Sequence, residues 1–172
     1  SSPEALTAVL ITHAHNDHLG SAEYLRSAYG TPVYLHEAEV PHARREFLHQ
    51  VSVGTVLKNG WRPGVLPWAV HAIRVGGTAH VPVASPQPFP AEGALDLPGR
   101  PVPVYTPGHT DGHCAFHLPE RGVVISGDGL VSGHPTSRVK GPQLLPDMFH
   151  HERARAVASL DVFAELEGDV LV

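Results

Sequence analysis

Leu6-Thr7-Ala8-Val9-Leu10-Ile11-Thr12-His13-Ala14-His15-Asn16-Asp17-His18 decides the reading of this chain. Its first half, Leu6 to Ile11, is short, apolar and partly β-branched, the pattern of a buried strand. Its second half gathers three histidines and an aspartate at the end of that strand. Imidazole and carboxylate are the usual ligands of zinc and similar ions, and a catalytic site needs no cysteine. Residues two apart in extended backbone point the same way, so His13 and His15 can converge on one ion. As the loop turns into a helix, Asp17 and His18 can project toward a neighbouring point. A polar loop with incidental histidines is the competing reading. Four such groups this close have no evident packing role and would repel one another when protonated.

Working outward, Ala22, Leu25, Ala28 and Tyr29 fall at helical spacing within Ser21 to Tyr29, and Gly30 is the stop. Val33 to Leu35 reads as a second strand. Glu37 to Gln50 is helix-like, with Pro41 placed as a new first turn. Trp61 to Gly108 holds 10 of the 17 prolines and only 5 charged residues, so short strands and turns are expected there rather than long helices. Leu95 to Leu97 and Val102 to Tyr105 are its strand candidates. Cys114 to Leu118 and Gly122 to Ser126 form a hairpin about the turn Pro119-Glu120-Arg121. His150 to Glu167 reads as a helix with Ala156, Val157, Leu160, Phe163 and Ala164 on one face. Val170 to Val172 begins another strand. No repeat interrupts this order, and residues 1–172 read as one α/β domain.

Two further segments carry chemistry. In Thr106-Pro107-Gly108-His109-Thr110-Asp111-Gly112-His113 the proline and glycines make a tight loop that can aim His109. His113 opens the next strand, a usual place for a merely satisfied polar residue. In Ser126-Gly127-Asp128 an aspartate ends a strand beside two glycines, a weak signal alone because turns are rich in Gly-Asp pairs.

Composition bounds the function. The chain has 172 residues, with 42% hydrophobic and 17% charged, enough to bury a core. The net charge of −5 gives no basic footprint for nucleic acid or anionic membrane. No apolar run approaches the roughly 20 residues of a membrane span. The 14 histidines outnumber the 12 lysines and arginines together and are dispersed, which points to function rather than a tag. The single cysteine, Cys114, excludes an internal disulfide, fits a cytoplasmic protein, and reads as a small buried hydrophobe. The sole methionine is Met148, so Ser1 is no initiator and the sequence reads as a piece of a longer protein.

His13-x-His15-x-Asp17-His18, then Pro107-Gly108-His109-Thr110, then Gly127-Asp128, in that order, resemble the metallo-β-lactamase superfamily. Val33 to Glu37 and the helix before Asp169-Val170-Leu171 resemble it too, so the likeness runs through most of the chain. It implies an αββα sandwich, here partial, lacking N-terminal strands and the C-terminal end. It implies that His13, His15 and His109 hold one ion, Asp17 and His18 a second, and that Asp128 bridges them. One more histidine ligand is expected in a Gly-His loop after the strand at Val170, beyond Val172. Two zinc ions are the expected cofactors, with iron or manganese as substitutes.

The chemistry implied is hydrolysis. A metal lowers the pKa of bound water to about 7, giving hydroxide at neutral pH. Held between two ions, it would attack the carbonyl of a small thioester, lactone or other ester, with Asp17 as the catalytic residue that orients it and moves its proton. An iron-dependent oxidoreductase or dioxygenase and a nucleic-acid-processing phosphodiesterase are the alternatives; the acidic balance counts against the last. Among the other histidines, His80 and His134 lie in Gly/Pro loops that could face a cleft. His36, His42, His49 and His71 read as surface or capping residues, and His150 and His151 as neutral residues opening the last helix. Trp61 and Trp68 could line an apolar pocket or serve packing.

Overall fold

The computed structural model describes residues 2–172. Strand β1 (Val9–Leu10) leads through the histidine loop into α1 (Asn16–Leu19) and α2 (Ala22–Tyr29). Gly30 ends α2 in the left-handed conformation, φ 70°, as its position suggests. β2 (Val33–Leu35), α3 (Val40–Ala43), α4 (Val53–Asn59) and α5 (Val65–Arg74) follow, then β3 (Gln87–Pro88) and β4 (Val102–Tyr105). β5 (Cys114–Leu118), β6 (Val123–Ile125), α6 (Arg153–Ala164) and β7 (Val170–Leu171) complete the order.

The strands make two sheets. β1, β2 and β3 run parallel, with Val9 opposite Val33 and Tyr34 opposite Gln87. β4, β5 and β6 are antiparallel, with Pro103 opposite Phe116 and Phe116 opposite Ile125, and β7 adds parallel to β6. The Cys114 N–H donates to the Thr12 carbonyl at 2.9 Å, joining the second sheet to the chain leaving the first. Phe89, just past β3, meets Phe116 edge-on, ring centroids 5.8 Å apart. The core of the first half is Ile11, Ala14, Leu19, Ala22, Val33, Leu35, Ala43 and Val83. α2 therefore packs its Ala22 face on the first sheet. α6 covers the loops at the end of the second, through a stripe of Ala156, Ser159, Leu160 and Phe163 at helical spacing.

Several expectations are corrected. Only Val9 and Leu10 of the Leu6–Ile11 segment pair as strand. The helix expected over 37–50 is a short 3₁₀ turn plus α3, which carries Pro41 in its first turn as anticipated but stops by Arg45, at φ 63°. The 61–108 stretch contains a ten-residue helix, α5. Its prolines crowd after residue 81, and Pro67 falls in the first turn, where no intrahelical N–H bond is lost. Leu95 is buried but forms no strand. The last helix begins at Arg153, so His150 and His151 precede it, and Val157 faces solvent while Ser159 is buried.

Candidate metal centre

The histidine loop sits where β1 ends and leads directly into α1. His13 is fully buried and His109 is 3% exposed. His15 Nδ1 lies 3.0 Å from His13 Nε2 and 3.0 Å from His109 Nε2. Asp128 Oδ2 is 3.2 Å from His109 Nε2 and 3.9 Å from His13 Nε2, and its Oδ1 is 3.2 Å from His18 Nε2. The structure thus brings together His13, His15, His109 and Asp128 as one donor group. His18 adjoins it through Asp128. Asp17 stands apart from the group, its carboxylate 3.8 Å from His18 Nε2 and 78% exposed.

The donor set fits a cation. His15 Nε2 donates to the His49 carbonyl, which leaves Nδ1 a bare lone pair aimed at two other ring nitrogens. Ring nitrogens around a tetrahedral zinc ion would lie about 3.3 Å apart, close to the spacing here. Desolvation, then the neighbouring imidazoles, push the pKa of His13 and of His109 well below the ordinary value; burial lowers His15 too. Neutral imidazole is the ligating form. Burial alone would raise the Asp128 carboxyl. The hydrogen bond from His18 and the facing imidazoles outweigh it and hold Asp128 well below the usual carboxylate range. His18 loses from burial but gains more from Asp128 and Asp17, so its pKa is raised.

The loop that aims His109 is locked against α6. Gly108 has φ +127°, and a Cβ there would sit 2.0 Å from the Ala156 nitrogen. The His151 and Glu152 N–H groups donate to the His109 and Gly108 carbonyls at 3.0 and 2.9 Å. Ser159 donates its hydroxyl to the Pro107 carbonyl at 2.8 Å.

Glu39 escaped the sequence reading. It is fully buried and ties the two histidine loops together. Its carboxylate accepts from the Ala14 N–H at 2.8 Å and the Gly112 N–H at 3.0 Å, and meets His42 Nδ1 at 3.0 Å. Burial pushes its pKa up, but these donors win and bring it down to about 2. Nothing local distinguishes Glu39 from the exposed Glu37 two residues before it. His42, expected at the surface, is also fully buried. His36 caps the turn that follows, and His71 is exposed as expected. His113 is wholly buried, its Nδ1 2.9 Å from the Thr106 hydroxyl, and burial lowers its pKa to about 4. His80 is exposed, whereas His134 is half-buried against Trp68 and Phe149. Trp61 is 81% exposed. Cys114 is buried, and burial pushes its thiol up to about 12. No helix among the described residues is long and apolar enough to cross a membrane.

Comparison with known proteins agrees with this geometry. A "Probable metallo-hydrolase YqgX" of Bacillus subtilis is 32% identical over 127 residues, covering 73% of this chain and 50% of that protein. A hydroxyacylglutathione hydrolase of Cereibacter sphaeroides is 28% identical over 127 residues, covering 74% of this chain and 35% of the enzyme. The chain thus spans half or less of these relatives' lengths. The crystal structure of TTHA1623 in a di-iron-bound form superposes with a TM-score of 0.60 at 27% identity, over 96% of this chain and 68% of that one. An N-acyl homoserine lactone hydrolase shares the fold at 19% identity, with a TM-score of 0.56 over all of this chain and 56% of its own. The family model of the metallo-β-lactamase superfamily matches residues 1–172. The chain therefore belongs to the metallo-β-lactamase superfamily, with two sheets that fit its αββα sandwich.

Proposed function

We propose that this chain carries the metal centre of a hydrolase acting on a small activated carbonyl compound, such as a thioester, lactone or other ester. The observation that carries this is the convergence of His13, His15 and His109 with Asp128 at one point. In this reading those three imidazoles would hold one ion, Asp17 and His18 would hold a second, and Asp128 would serve both. Asp128 suits that role because one oxygen faces His109 and the other faces His18, each at 3.2 Å. Bound there, a metal supplies a water acidic enough to ionise near neutral pH and a Lewis acid for the carbonyl oxygen.

The chain's own residues do the rest. The neutral imidazoles keep the buried side of the site closed to water, and the Asp128 anion offsets part of the dication charge. The His49 carbonyl fixes the His15 tautomer. Asp17 is exposed beside the centre, where its carboxylate can accept a proton and pass it to solvent. The likeness to a hydroxyacylglutathione hydrolase favours an acyl substrate. Zinc is the metal of this reading; the di-iron-bound neighbour favours iron as the second choice.

The test is a panel of thioester, lactone, β-lactam and phosphodiester substrates on metal-loaded protein, with metal analysis alongside. Asp128→Ala and His109→Ala should lose bound metal and carbonyl hydrolysis together. Full turnover by metal-free preparations of either variant would sink the proposal. Iron with oxygen consumption would move the function to redox chemistry.

A further inference from the structure

Outside that centre, three side chains from separate segments meet: His49 beyond α3, Asp111 in the loop after β4, and His151 just ahead of α6. His49 Nε2 lies 3.8 Å from Asp111 Oδ2, and His151 Nε2 lies 3.7 Å from Asp111 Oδ1. The donor atoms of all three fall within 4.8 Å of one another. The two imidazoles stack, centroids 3.8 Å apart and planes 15° from parallel. Hydrogen bonds of this kind run at about 2.7–3.2 Å, so neither ring bonds the carboxylate. His49 Nδ1 is buried with no partner at all. Two imidazoles and a carboxylate are thus gathered without hydrogen-bonding one another.

We propose that His49, Asp111 and His151 form a second metal site, one that takes a single zinc ion independently of the inner centre. Two imidazoles and one carboxylate are a borderline donor set suited to a first-row divalent ion with open positions left for water. Closing the group to the edge of about 3.3 Å that tetrahedral zinc needs calls for rotation of the half-exposed His151 and Asp111 side chains toward His49. The His151 ring is 41% exposed and the Asp111 carboxylate 37%. Arg155 stands beside the group, its Nη1 3.5 Å from Asp111 Oδ1. It is also held by the Tyr105 hydroxyl at 2.9 Å and Glu152 Oε1 at 3.3 Å, which leaves Asp111 Oδ2 facing His49.

The site is joined to the inner centre through backbone. The His49 carbonyl receives the His15 Nε2 proton, the His151 N–H donates to the His109 carbonyl, and Asp111 lies two residues past His109. An outer ion would brace the groups that orient two inner imidazoles, a role in which partners of metal ligands commonly change affinity by about 10–100-fold.

The experiment titrates zinc alone into metal-free protein and follows the imidazole nitrogens by NMR. In the unsubstituted protein at micromolar free zinc, the Nε2 resonances of His49 and His151 should shift to metal-bound positions. A His109→Ala/Asp128→Ala variant, crippled at the inner centre, should still bind one equivalent, and adding His151→Ala should weaken that equivalent at least tenfold. Arg155→Met, which removes the competing cation, should tighten it. Unmoved His49 and His151 resonances in saturated unsubstituted protein would overturn the proposal. So would zinc binding to the inner-centre variant that is indifferent to His151. Metal-loaded unsubstituted protein that binds the outer equivalent but hydrolyses none of the carbonyl substrates would instead strike the proposed function and leave this site standing.

Discussion

Replacing Glu39 tests how the centre is held together. Its carboxylate accepts two buried backbone N–H groups, Ala14 at 2.8 Å and Gly112 at 3.0 Å, and lies 3.0 Å from His42 Nδ1. Hydrogen bonds to a charged group contribute about 1.5–3 kcal/mol each, and an orphaned buried donor costs about 1–3 kcal/mol. Glu39→Ala strands both N–H groups and opens a cavity, so it should cost at least about 4 kcal/mol, a large share of the stability of an ordinary domain. Glu39→Gln keeps the shape and one acceptor oxygen but sets an amide NH₂ against a backbone N–H, so about 2–3 kcal/mol is expected. With a urea m-value of about 2 kcal/mol/M, the Gln variant of the metal-free protein should shift its midpoint down by about 1–1.5 M. The two N–H groups belong to the loops that carry His13, His15 and His109. Metal affinity should therefore fall as well, about tenfold or more. If Glu39→Ala left both the urea midpoint and the zinc affinity unchanged, the tie would be refuted.

Three further outcomes are expected. Gly108→Ala should destabilise by at least about 2 kcal/mol and weaken metal binding, because the new Cβ meets the Ala156 backbone at 2.0 Å; thermal melting and metal stoichiometry check it. Metal-free protein should lose stability on acidification. Glu39 falls from an ordinary 4.5 to about 2 on folding, so the unfolded chain binds the extra proton. That contribution is complete above pH 4.5 and lost as pH drops toward 2, roughly 2 kcal/mol of it by pH 3, and the loss should vanish in Glu39→Gln. Cys114, 1% exposed with its thiol pushed up to about 12, should react with thiol reagents only as fast as the protein unfolds; immediate labelling of native protein would contradict this.

What the sequence made legible was local. His13, His15, Asp17 and His18 lie within one turn of chain after an apolar strand, so their clustering follows from backbone geometry. His109 was legible through the tight Pro-Gly loop, where Gly108 takes a conformation and a closeness to α6 that only glycine permits. Asp128 was a weak signal alone and stood out only through the order of motifs shared with the metallo-β-lactamase superfamily. The hairpin of 114–118 and 123–125 was legible from its turn. What escaped is set by tertiary contact. Glu39 and His42 look like surface helix residues and are buried because two loops far along the chain close over them. α5 was hidden by a proline count that averaged over a stretch whose prolines lie mostly beyond it. The outer trio of His49, Asp111 and His151 has no local spacing at all.

The bond from Ala14 to Glu39 spans 25 residues and the one from Gly112 spans 73, while His109 reaches back 94 residues to His15. Contacts of such separation are slow to close, because the loop entropy is lost before the contact stabilises anything. On a ribosome adding about 5–20 residues per second, His13 would wait about 6–23 seconds for Asp128 to be made. During that interval the first loop holds its histidines without the carboxylate they face. Metal capture is thus a late event that reports the docking of both sheets, and a metal offered too early meets only half a site. Refolding followed by metal uptake should lag refolding followed by the first sheet alone.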